Sequence, residues 1–313
     1  MYVLNIIFNI LTSGLPCCLL AIGVFLTFRL LDFADMSAEG SFLLGAALTA
    51  ACIYNGINPF LSTFFGMLVG ICCGIVTGVL NRVLKIPKLL SGIITLTASA
   101  SIAMLIMGIT SPAQIFAMQV PLSLNAGHTT IYSVFYPGNQ WNKLVETVVM
   151  VVVVLVVIVA IYYFFGTEYG MAIRATGMNE KMARSQGINT DIATIACIGI
   201  SNGLIALAGA LYVQDALSVS TISATGYLVI GLASILIGEA IFGKRSFKNW
   251  LISVALGAIL YFTIITIAIR LGFPTELKSL LYAVLITIAL CIPLFKKGFA
   301  MLAKKVRRKK EAC

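Results

Sequence analysis

Apolar runs of about 20 residues, the helix length that crosses a hydrocarbon core of roughly 30 Å, recur along almost the whole chain. Read between polar or Pro/Gly breaks, they predict spans near residues 3–28, 37–54, 60–80, 89–109, 145–165, 190–213, 227–243, 249–270 and 276–295. The fold class that follows is all-α, a polytopic membrane protein of about nine helices, with eight to ten as the range. Composition excludes a soluble alternative: 60% of the 313 residues are hydrophobic and 10% charged, whereas a globular domain carries roughly 25% charged residues. So little chain remains between the runs that residues 1–295 read as one transmembrane domain, followed by a basic tail at 296–313.

The net charge of +10 comes from short segments between spans and from the tail. Charge so placed is an orientation signal, and no aromatic-interleaved basic surface accompanies it, so a nucleic-acid partner is not expected. Placing Arg82–Lys88, Gly166–Asn189, Gly243–Asn249 and the tail in the cytoplasm collects all 21 Lys/Arg except Arg29, Lys143, Arg270 and Lys278. This puts the C-terminus inside and the N-terminus outside a cell membrane, with the tail near anionic lipid headgroups. The eight cysteines show no CxxC spacing, and the single His128 lies in the longest outer segment, about 110–142. Neither a disulfide framework nor a metal site is predicted.

Two stretches match in the form S-A-x-G-x-(apolar)3-G: Ser37–Gly45 and Ser223–Gly231, each opening a predicted span. Each is followed by a second span ending in a basic residue and a proline turn, Arg82 with IPKLLSG and Arg270 with FPTELKSLL, on opposite sides by the charge count. An inverted repeat is therefore expected, with halves at about 1–110 and 190–295 and the 145–165 helix as connector. In the third span Gly66, Gly70, Gly74 and Gly78 recur every four residues and predict a helix face that admits a neighbouring backbone closely.

The cytoplasmic segment 166–189 carries the signals of a short helix: Asn179 to cap it, Glu180 at its positive end, Gly187 to stop it. Met178, Met182 and Ala183 give it an apolar side, with Lys181 and Arg184 facing out. On the residues alone this is either a helix that docks into a groove on a soluble partner or an ordinary turn with orienting charge.

The pattern T-x-x-G-x-x-I-R-A-T-G-x-N-x-x-x-A-x-x-x-G-I-N, followed by SNGLIALAGALYVQ at 201–214, resembles the ATPase-coupling loop and next span of permeases from the branched-chain amino acid and ribose group of ATP-binding-cassette (ABC) importers. LDFADMSAEGSFLLGAAL resembles that group's first-loop region, although branched-chain members tend to read Asn-Phe-Ala-His-Gly where this chain has Asp32-Phe-Ala-Asp-Met. The fuller pattern, IPKLLSGIITLTA and LASILIGEAIFG, is similar to a less characterised subgroup, some of whose members are linked to tryptophan or other aromatic amino acids. The resemblance implies a type II importer plan: two permease copies as a homodimer, or a pair of related permeases, with two cytoplasmic ATPases and an external or periplasmic solute-binding lipoprotein. It assigns ATPase coupling to Gly177, Asn179, Glu180, Ala183 and Gly187, with Arg174 and Arg184 alongside. The solute would be amino acid-like, an aromatic one among the candidates.

No G-x-x-x-x-G-K-[ST] loop occurs, so the chain is expected to be no enzyme and to hold no cofactor, ATP being bound by the partner ATPase. Path-lining candidates are polar groups at membrane depth: Ser37, Glu39 and Ser41; Thr95 and Thr97; Asn202 and Gln214; Ser223 and Thr225. The plainer reading of the hydroxyls is backbone bonding within their own helices. Glu239 reads as a partner for Arg245 or a helix end. The rival is an ion-coupled secondary transporter, which needs a carboxylate in mid-span, whereas Asp32, Asp35, Glu39, Asp215 and Glu239 all read as lying near span ends. A membrane enzyme would need a constellation that one His cannot supply.

Overall fold

The computed structural model describes residues 2–110, 119–121, 129–135, 142–220, 226–244, 246–273, 280, 281, 283, 284 and 287. Helix α1 (Tyr2–Phe25) runs into a π-helical turn (Leu26–Leu30) and is followed by α2 (Ser37–Tyr54), α3 (Pro59–Arg82) and α4 (Lys88–Thr110). A strand β1 (Gln119–Pro121) and a short α5 (Ile131–Phe135) precede α6 (Asn142–Phe164), α7 (Glu168–Met178), α8 (Glu180–Ser185) and α9 (Thr190–Ala216). Strand β2 (Ser218–Ser220), α10 (Tyr227–Phe242) and α11 (Phe247–Arg270) complete the described chain. The helices occupy the first eight expected spans, and seven of them are long and apolar enough to cross a membrane, α10 being shorter at 16 residues. The ninth expected span and the basic tail lie almost wholly outside the described residues, as does His128.

Local chemistry sets the helix ends. Asn58 accepts a hydrogen bond from the Phe60 N–H at 3.0 Å and Pro59 opens α3, the arrangement in which proline's missing N–H costs nothing. Asn81 donates to the Ile86 carbonyl at 2.8 Å and closes the α3–α4 turn. Asn189 accepts from the N–H groups of Asp191 and Ile192 and starts α9.

In a bilayer, helices gain nothing from hiding apolar surface from one another, so packing depends on close approach. Gly66, Gly70, Gly74 and Gly78 lie buried along one face of α3, against Ala210, Ala206, Ile198 and Ile195 of α9 respectively. Helices α1, α2 and α9 form the interior, while α3, α4, α6 and α11 turn much of their length outward. Phe60, Phe64 and Leu68 of α3 and Val152, Leu155 and Val156 of α6 are exposed on this outer surface, which suits lipid rather than water.

Helix α2 does not begin at an end of the bundle. Its first residue, Ser37, lies 3.2 Å from the side-chain oxygen of Asn202, near the midpoint of the 27-residue α9. The chain descends through the π turn, reverses at Asp32 with φ of 49°, and climbs back inside the protein before α2 starts. Helix α10 begins beside it: the Gly226 N–H donates to the Glu39 carboxylate at 3.0 Å. From there α10 runs to the level of Arg29, which meets Glu239, and α2 runs the other way. Both helices therefore start inside the bundle and diverge. A ribbon of β1 and β2, antiparallel with Val120 opposite Val219, was not foreseen in an all-helical reading.

Candidate functional site

The segment 166–189 folds as two short helices. Thr167 caps α7 through the Gly170 N–H, and Asn179 both ends α7 and caps α8, accepting from the Met182 N–H at 3.1 Å. Gly187, at φ of 83°, turns the chain out of α8, in the left-handed region that glycine enters freely. Gly177 seats the loop: a Cβ there would fall on the Leu30 carbonyl oxygen. Arg174 stacks over the Phe247 ring at 4.8 Å and ties α7 to the start of α11. Ala183 faces inward, whereas Met178 and Met182 are 89% and 62% exposed. The apolar side foreseen for this helix is thus divided, with its methionines outward and its alanine inward.

The polar side of α8 folds onto the protein. Glu180 accepts from Arg82 at 2.6 Å and from Arg184 at 3.1 Å, and Arg184 also reaches Asp191 at 3.0 Å and Thr190 at 2.7 Å. A cleft of about 580 Å³ opens beside this cluster, lined by Arg82, Lys85, Lys88, Glu180, Arg184 and Asp191 among others. The buried Arg82 Nε has no hydrogen-bond partner among the described residues. The Arg82 hydrogen bond, with the Arg82, Arg184 and Lys88 charges, outweighs partial burial and holds the Glu180 carboxyl below its ordinary range. A carboxyl depressed on folding stabilises fully above its unfolded value, about 4.3, and that contribution is lost as pH falls through the folded value. Proteolysis within 178–190 is therefore expected to be flat across neutral pH and to rise only below about pH 4; a rise centred near neutrality would contradict this assignment.

Of the path candidates, Ser37, Ser41 and Asn202 converge with Asp35 in one buried cluster. The Asp35 carboxylate accepts from the Ser37 N–H at 2.9 Å, the Ser37 hydroxyl at 2.5 Å and the Asn202 amide at 2.8 Å. The Asn202 oxygen accepts from Ser41 at 2.6 Å. Glu39, half-buried, lies where α2 and α10 meet. Gln214 is buried elsewhere, bonded to Thr63 and to the Ile131 N–H. Thr95 is buried and Thr97 exposed on α4, each bonded to its own helix backbone. Ser223 and Thr225 lie outside the described residues.

One expectation drawn from carboxylate placement is corrected. Asp35 does adjoin the start of α2, but that start is not at the bundle surface: the short segment after the π turn re-enters the bundle and brings Asp35 to mid-α9. Glu239, in the last turn of α10 as its sequence position suggested, meets Arg29 at 2.5 Å and the Trp250 indole at 2.8 Å; Arg245, the other expected partner, lies outside the described residues. Sequence reading also nominated no aromatic group. Phe42, Tyr212 and Tyr227 cluster at the start of α10, Phe42 and Tyr227 stacked with centroids 4.1 Å apart. The Asp35-Met36-Ser37 spacing did carry a signal, since an aspartate two residues before a helix start commonly bonds the backbone there.

Helices long and apolar enough to cross a bilayer, small-residue packing between them, and a capped helix exposed at one end define a multi-pass membrane protein. The chain belongs to the family described as branched-chain amino acid transport system, permease component, which matches residues 6–290. It is 35% identical to a tyrosine transport system permease protein of Clostridioides difficile (strain R20291), over 97% of this chain and 98% of that protein. A galactofuranose transporter permease protein of Escherichia coli (strain K12) is 27% identical over 96% of this chain and 82% of its own length. A nucleoside ABC transporter permease protein of Lactococcus lactis subsp. cremoris (strain MG1363) is 26% identical over 75% of each. No solved structure matches the chain. The protein is thus the permease subunit of an ABC transporter for a small solute, a class whose members work with an ATPase and a solute-binding protein.

Proposed function

We propose that the chain carries an amino acid with an aromatic ring inward, as a homodimer whose coupling loops, on the cytoplasmic side with the C-terminus, dock two ATPases that bind the ATP. The observation that carries this reading is the pair of outward methionines, Met178 and Met182, on and beside a helix otherwise bound to its own protein. Exposed methionine is costly in water and suits an adaptable apolar groove. The positive-inside count supports the cytoplasmic side, and the matched S-A-x-G sequences at 37–40 and 223–226, with α2 and α10 diverging from a common point, support an inverted repeat in two halves joined by α6. The tyrosine-transporting relative and the Phe42, Tyr212, Tyr227 group support an aromatic solute. A solute-binding lipoprotein outside the membrane would deliver it.

The test is affinity recovery of the tagged permease from native membrane, with wild type compared against Met178→Glu/Met182→Glu. Two carboxylates placed in an apolar groove cost several kcal/mol, so ATPase recovery is expected to fall more than about tenfold. Equal recovery with the variant would remove the methionines from the interface. A wild-type chain that arrives alone and transports under an ion gradient would overturn the ATP-driven reading.

A further inference from the structure

Resting on the ATP-driven reading above, we infer that the buried Asp35–Ser37–Ser41–Asn202 cluster is the joint through which the coupling helix moves the solute path. Asp35 and Asn202 act in it as positioning residues, with no contact to solute.

The connection is continuous. Arg184 binds Thr190 and Asp191, and Asn189 caps α9, so α8 and the first turn of α9 form one unit. A regular helix of about 40 Å then transmits a tilt of that unit along its length. At its midpoint the Asn202 side chain works in two directions: its amide donates to Asp35 and its oxygen accepts from Ser41, one on each side of the start of α2. The Ser201 hydroxyl donates to the Gly23 carbonyl at 2.7 Å and adds α1 to the same level of α9. From α2 the connection passes to α10 through Glu39 and the Gly226 N–H. Displacing the coupling helix therefore moves the origins of both diverging helices together, where a solute would pass between the halves.

The chemistry of the cluster is suited to a joint. Asp35 accepts three hydrogen bonds and is fully buried, and no Lys, Arg or His pairs with it among the described residues. Hydrogen bonds alone hold it, and they lose strength steeply with misalignment. Asp35 and Asn202 are matched acceptor to donor. In Asp35→Asn one amide must face either Asn202 Nδ2 or the Ser37 donors, and a donor meets a donor in both cases. In the exchanged pair Asp35→Asn/Asn202→Asp, the contact between the two side chains is restored with its polarity reversed, at the loss of the Asn202 amide's second bond, to the Ile198 carbonyl at 3.1 Å.

The permease–ATPase complex is to be purified with each variant and its backbone hydrogen exchange measured nucleotide-free and trapped with ATP and vanadate. In wild type, both 178–190 and 33–41 are expected to change exchange on trapping by about twofold or more. Asp35→Asn is expected to keep the response at 178–190 and lose it at 33–41, with ATP-driven tyrosine uptake into proteoliposomes supplied with the solute-binding protein reduced roughly tenfold while hydrolysis continues. The exchanged pair is expected to regain part of both. A normal response at 33–41 in Asp35→Asn, its absence in wild type, or an exchanged pair no better than the single variant would each overturn the joint. Should Asp35→Asn fail to assemble, Ser41→Ala removes one bond only and decides the matter: an unaltered response at 33–41 and an unaltered ratio of uptake to hydrolysis sink the proposal. Failure of the ATP-driven reading is distinguishable, because no ATPase would then accompany the wild-type chain.

Discussion

Replacing Gly70 with valine is expected to leave almost no permease that elutes as a single species after detergent extraction. A Cβ at position 70 would collide with the Ala206 side chain and the Asn202 carbonyl, and both belong to α9, so relief requires the two longest-packed helices to separate. Forcing methyl groups into a close-packed contact costs about 1–3 kcal/mol when neighbours can shift. Here the neighbour is backbone on a helix that also holds α1, α2 and the coupling unit. Separation would break the approach at Gly66, Gly74 and Gly78 as well. Leu68→Val, on the exposed side of the same helix, is the control and is expected to elute normally. Equal yields from the two variants would mean that α3 and α9 do not pack through the glycine face.

Glu180→Arg is expected to reduce ATPase recovery to background and uptake by more than about tenfold, although residue 180 is not among the outward methionines. The carboxylate neutralises Arg82 and Arg184, with Lys85 and Lys88 lining the same cleft. Reversing its charge gathers like charges where Arg82 is already largely buried and short of a partner at Nε. The coupling helix is expected to swing away from the α3–α4 turn and carry Met178 and Met182 out of register. The check is a charge exchange: Glu180→Arg with Arg82→Glu should recover a substantial part of the ATPase that Glu180→Arg loses. No recovery would place Glu180 in direct contact with the ATPase instead of in support of the helix.

The spans were legible because bilayer thickness fixes their length, and the cap at Asn179 because local hydrogen bonding decides it. The four glycines of α3 gave their packing face by spacing alone. What sequence could not supply was depth. A window of apolar residues looks the same whether its helix starts at the membrane surface or within the bundle, so the interior origins of α2 and α10 were invisible, and with them the position of Asp35. Long-range pairing was equally hidden. Nothing in the local sequence of Glu239 points to Arg29, which reaches it across 210 residues. In the coupling loop the residue types were readable, but which of Met178, Met182 and Ala183 turned outward depended on how Gly177 seats against Leu30.

Helix α9 also works as a ruler. The coupling unit grips its first turn and Asn202 its middle, so the stretch from Thr190 to Asn202 sets both the height and the compass bearing at which Asn202 meets Asp35. One residue added or removed there would raise or lower that amide by 1.5 Å and swing it through about 100°, off the face that looks at α2. Substitution within this stretch can be absorbed by repacking, but a change in its length cannot. The gauge between coupling helix and joint is therefore held by a count of residues rather than by the identity of any one of them.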